Sequence, residues 1–149
     1  MDQIRWMNWV VEVDVEQTKD FYTKDMERCH CLYCENYMEA SKLLDSSLVK
    51  LFFTLGINPS KPSHLSEFGE RRDGLRLYVG SYHIVGKLVK GELCTDSEWN
   101  DATTAKLDNF TFAFGKDVMF LHDEFPHPVL QLEFEARLPW VLNEKPEEE

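Results

Sequence analysis

Residues 130–138 constrain the fold more than any other stretch. Leu130, Leu132, Phe134, Ala136 and Leu138 alternate with Gln131, Glu133, Glu135 and Arg137. Successive side chains of an extended chain point to opposite faces, so this pattern requires a strand with one oily and one polar face. Phe110, Phe112 and Phe114 alternate with Thr111, Ala113 and Gly115 in the same way. Half-buried strands of this kind argue against an all-parallel sheet, whose strands are covered on both sides and read as apolar almost throughout. The turn dipeptide Asp73-Gly74 precedes alternating Leu75, Leu77 and Val79, and after the Gly80 interruption Tyr82, Ile84 and their neighbours extend β-character to Val89. Near the N-terminus, Met7, Trp9, Val11, Val13 and Val15 alternate with Asn8, Glu12 and Asp14 and predict another strand.

Helical spacing fills the region between. Asp14 followed by Gln17 reads as a capping pair, and Val15, Thr18, Phe21, Tyr22 and Met26 predict a short helix to about residue 26. Tyr37, Ala40, Leu44, Leu48, Leu51, Phe52 and Leu55 trace an apolar stripe that Asp45, Ser46 and Ser47 can divide in two, because short polar side chains favour caps. Gly56 ends it, and Pro59 and Pro62 prevent its continuation. Residues 95–107 fit a short helix or an ordered loop equally well. The expectation is one α+β domain over residues 1–143, with N-terminal helices covering a mostly antiparallel sheet and a solvated acidic tail at 144–149.

Composition narrows the partners and the compartment. At 149 residues and 43% hydrophobic, the chain is long and oily enough to bury a core without disulfide staples. Twenty-seven acids against sixteen bases give a net charge of -11, which argues against nucleic acid and anionic lipid as partners. Residues 1–7 lack the apolar core of a secretion signal, and the oiliest run, Leu48 to Leu55, is interrupted by Lys50 and Thr54. These features predict a cytoplasmic location with no membrane span. In such a reducing setting the four cysteines need an explanation other than a disulfide framework.

Cys29, His30, Cys31 and Cys34 form a C-H-C-x-x-C cluster between two expected helices, the least random feature of the chain. Thiolates are soft donors that suit zinc, and a C-x-x-C pair with a third thiol can occupy three corners of a tetrahedral ion. Cys94 or His83 is the candidate fourth ligand, with His64 behind them and His30 needing unusual local geometry. Two other readings stand beside zinc: an exchanging Cys31/Cys34 dithiol at a helix start, and reduced thiols that only pack. His122 and His127, with Asp123 and Glu124 between them, form a second polar cluster that a loop before a strand also explains. Glu133 and Glu135 share one strand face and read as its polar side. Arg71, Arg72, Arg76, Lys87 and Lys90 make a local basic stretch that pairing with acidic neighbours accounts for. Tyr78, Tyr82 and His83 beside Gly80 and Gly86 suit a ligand surface or sheet packing. There is no phosphate-binding glycine loop, zinc-protease helix or nucleophile elbow.

The order of several motifs carries a resemblance. Cys29-His-Cys-Leu-Tyr-Cys-Glu-Asn-Tyr37 is followed by Leu55-Gly-Ile-Asn-Pro-Ser-Lys-Pro62, by Asp73-Gly-Leu-Arg-Leu-Tyr78 with Gly80-Ser-Tyr-His-Ile-Val-Gly86, and by Pro128-Val-Leu-Gln-Leu-Glu-Phe134 with Leu138-Pro-Trp-Val-Leu142. Over residues 29–142 the chain resembles a family of small uncharacterised bacterial proteins. The resemblance implies a bacterial cytosolic origin and supplies no catalytic residues. Charge and the missing catalytic signatures together predict a non-catalytic domain whose acidic surface engages a protein partner, as an inhibitor or immunity protein of a basic target would. The alternatives are a zinc-binding domain built on Cys29, Cys31 and Cys34, and a small enzyme using His83 or the His122 and His127 loop.

Overall fold

The structure, a computed structural model, describes residues 1–25 and 27–146, with Asp96 described for its backbone alone. Among these residues the α+β expectation holds, with helices near the N-terminus and a mainly antiparallel sheet. Strand β1 (Asp2–Trp6) turns through Met7 and Asn8 into β2 (Trp9–Val13), so the single N-terminal strand read from the alternation is a hairpin. Met7 kept the alternation running past the turn; it sits at φ 54°, a left-handed conformation that an apolar side chain seldom adopts.

Helix α1 (Val15–Tyr22) opens where expected, with the Asp14 carboxylate accepting from the Gln17 amide at 3.0 Å. It stops at Tyr22, before Met26, which lies outside the described residues. The long apolar stripe is divided by Asp45 into α2 (Leu32–Ser41) and α3 (Ser46–Leu55). Asp45 caps α3 through the Ser47 amide, and Gly56 ends it at φ 83°.

Four longer strands continue the sheet: β3 (His64–Glu70), the 15-residue β4 (Arg76–Lys90), β6 (Phe110–Gly115) and β7 (Val129–Leu138). Residues 95–107 are neither a helix nor one loop. They hold a 3-10 turn at Asp96–Glu98 and the short strand β5 (Ala105–Leu107), which leads into β6 through Asp108 and Asn109. Strand order is β1-β2-β4-β7-β6-β5, with β3 beside β4 as well, and every ladder is antiparallel. β4 therefore takes β7 along one edge, while β3 and β2 share its other edge in succession. Gly80 permits the close approach of β3: a methyl group there would collide with the His64 carbonyl and the Phe134 ring.

The core lies in the hollow of this sheet. Trp6 of β1 packs edge-on against Phe112 and Phe114 of β6 at 5.2 and 5.6 Å between ring centroids, although the two strands are far apart in strand order. Strong curling brings them together, and α3 closes the opening: Phe52 reaches Tyr82, Phe110 and Phe112, while the Trp6 indole donates to Leu51 O at 2.9 Å. At the other end, residues expected to form a solvated tail begin tied down, since the Trp140 indole donates to Glu144 O at 2.9 Å. Residues 147–149 lie outside the described part.

Candidate metal centre and adjoining cavity

Cys31 is the N-cap of α2 and Cys34 lies in its first turn, so local helix geometry brings these two thiols to one helix end. Cys29 folds back from the preceding segment, and its sulfur accepts from the Cys31 amide at 3.5 Å. The three sulfurs lie within 4.8 Å of one another, close enough to bind a metal ion. Cys29 and Cys31 are exposed and Cys34 is half-buried. The Cys31 amide, followed by the neighbouring thiols, holds the Cys29 pKa below its usual value. Burial, with the other two thiols adding to it, pushes Cys34 up to about 12. A proton on Cys34 hydrogen-bonded towards Cys29 satisfies both trends, and a cation bound between the sulfurs would displace that proton and favour three thiolates instead.

Two sets of contacts hold this end of α2. Glu35 accepts from Arg28 at 2.8 Å and contacts the His30 ring at 3.3 Å, bracing residues 28–30 against the helix. Arg28 is the main reason, with His30 after it, that the Glu35 carboxyl titrates below its ordinary range. On the buried side, Asn36 donates to Pro139 O and Tyr78 Oη and accepts from the Val141 amide at 2.7 Å, while Tyr78 donates to Tyr33 O. These bonds join α2 to β4 and to the segment after β7.

Neither candidate for the fourth ligand joins the cluster. Cys94 is buried elsewhere, bridged to Gly115 through its backbone, with its thiol against Thr95 O and Thr103. His83 is nearer the site, but its Nε2 meets Gln131 Oε1 at 2.9 Å. An amide oxygen only accepts, so Nε2 carries the proton. The same oxygen accepts from the Met119 amide, and together they fasten the segment after β6 to the sheet. Burial keeps the His83 pKa below 6.5, so the ring is neutral near pH 7. His64 stacks on Phe120 at 4.2 Å, and His30 turns to Glu35. Among the described residues the cluster is thus three thiols, with no imidazole or carboxylate as a member.

Beside Cys29 and Cys34 opens a cavity of about 580 Å³. It gathers residues that the sequence treated separately: Cys29, Cys34, His64, His83 and His122 all border it. Phe21, Tyr22, Tyr37 and Phe125 supply aromatic walls, and Arg28 and Lys61 add cations. The Phe and Lys contributions had no signal in the sequence, because they come from α1 and two connections that only the fold brings together. His122 rests edge-on against Phe21, and its Nδ1 accepts from the Glu124 amide at 3.1 Å; His127 is exposed and does not border the cavity. Glu133 and Glu135 lie outside it, on the sheet face opposite Leu132 and Phe134. Arg76 of the basic stretch pairs with Glu67 and lies over the Tyr33 and Trp140 rings, and Arg137 reaches Asp73. Tyr82 is a packing residue, bonded to the Tyr37 hydroxyl and to Pro59 O.

Comparison with protein-family models, with curated proteins and with solved structures gives no match, so the functional reading is built on the site itself.

Proposed function

We propose that the protein is a zinc-binding domain in which Cys29, Cys31 and Cys34 supply three thiolates and the fourth position is left for water or an added ligand. The single observation that carries this is the grouping of three sulfurs within 4.8 Å at the first turn of a helix. Three soft donors of one type favour zinc over magnesium or calcium, which take oxygen ligands. A helix N-terminus favours thiolates there, and Arg28 adds positive charge beside Cys29. Three protein ligands with one position free is the pattern of sites that exchange ligands, whereas purely structural zinc is closed by four.

Elemental analysis of protein purified without a metal-affinity tag, with thiols counted before and after chelation, tests the proposal. About one zinc per chain is expected, with three thiols that react only after chelation. Metal-free protein whose thiols titrate freely, and whose stability is the same with and without added zinc, refutes it.

A second reading, an acidic domain that engages a basic protein, is favoured by the net charge of -11 and by the exposed run Val118, Met119 and Phe120. Capture of one specific partner, lost on raising salt and on replacing Phe120 with Ser, is its expected result. Capture that is indifferent to both removes it.

A further inference from the structure

The cavity has the size of a small-molecule site, and its walls are mainly apolar. Its one lysine is held in an unusual way. Lys61 Nζ donates to Tyr22 O at 2.9 Å and to Lys24 O at 3.0 Å, carbonyls at and just past the end of α1. An ammonium has three N–H donors, so one remains for a further acceptor. Among the described residues Lys61 forms no ion pair, although the chain carries 27 acids. The exposed Asp25 and Glu27 also border the cavity, and neither pairs with it.

From this combination we infer that the cavity binds a small monocarboxylate with an aromatic or similarly apolar body, the carboxylate on Lys61 and the body among Phe21, Tyr22, Tyr37 and Phe125. Two carbonyls fix the ammonium in advance, so little side-chain freedom is lost when an anion arrives. Low-polarity walls strengthen the pairing relative to open water. Arg28 also borders the cavity but is paired with Glu35, so Asp25 and Glu27 oppose a second negative charge, which selects a monoanion over a phosphate ester or dicarboxylate. The thiol cluster is not needed for this, so the site goes beyond the zinc reading and stands without metal.

Phenylacetate and its uncharged isostere phenylacetamide are suitable probes, titrated calorimetrically into the full chain after metal removal. Phenylacetate is expected to bind at least about tenfold more tightly than the amide. Lys61→Met, which keeps the aliphatic stem, should abolish that preference. Equal affinity for the two probes, no phenylacetate binding up to about 10 mM, or a preference that survives in folded Lys61→Met protein each overturns the inference. If the variant does not fold, the comparison of probes on the unaltered chain still decides. Repeating the titration with zinc present separates the two readings: a chain that binds phenylacetate but no zinc keeps the carboxylate site and loses the metal centre, and the converse result does the opposite.

Discussion

At the scale of single residues, the four cysteines divide into three that meet and one that does not. Cys34→Ser is expected to abolish zinc binding, whereas Cys94→Ser, with its sulfur enclosed near Thr103, leaves zinc content unchanged; elemental analysis of both variants checks this. Glu35→Gln weakens the hold on Arg28 and His30 without touching a sulfur. Its zinc affinity, measured by chelator competition, should fall about tenfold, the scale for groups that orient metal ligands. His83 gives a pH signature. Burial lowers its pKa in the folded chain, so on acidification the unfolded chain takes up the proton first. Its contribution is therefore complete above the unfolded value of about 6.5 and is lost as pH falls from there through the folded value. Urea midpoints across this range should decline for the unaltered chain more steeply than for His83→Gln.

Among the elements, α2 has the most to do with the site and depends least on its own sequence. Its first turn has no side-chain cap, and it is held mainly by Asn36 and Tyr33 contacts with β4 and the segment after β7. Asn36→Ala leaves the Val141 amide and Pro139 carbonyl without their partner. It should cost about 2–3 kcal/mol in denaturant unfolding and loosen zinc binding with it. This element also shows what the sequence could express. The Tyr37 to Leu55 stripe and the Asp45 to Ser47 break foretold α2 and α3, because core-facing periodicity and capping are local properties. Strand β3 had no such signal: it is half-covered along its length, and Gly69 interrupts its pairing with β4 at φ 90°. The C-H-C-x-x-C spacing likewise made the sulfur cluster legible, since all three thiols lie within six residues. The adjoining cavity was not legible, because Lys61, Phe21 and Phe125 meet only through long-range folding. The fourth-ligand expectation failed for the same reason: strand register, invisible in composition, sends Cys94 to Gly115 and engages His83 with Gln131.

The whole molecule encloses an unusual set of phenols. Tyr22, Tyr37, Tyr78 and Tyr82 are all buried, and burial raises each pKa above 10.0, Tyr78 to about 12. As pH rises past the unfolded value, the unfolded chain releases protons that the folded chain retains, so stability falls with increasing pH. Alkaline unfolding is expected to begin above about pH 10. Tyrosinate absorbance for these four should appear together with loss of circular dichroism; gradual ionisation in a folded chain contradicts the enclosed core. The curl of the sheet has a further consequence for how the chain is made. Trp6 leaves the ribosome well before its ring partners Phe112 and Phe114. The hairpin of β1 and β2 must wait, with its indoles uncovered, until β6 has been made. Contacts so distant in sequence make for slow closure, so during translation the oily interior stays exposed to chaperones and to neighbouring nascent chains until β6 arrives.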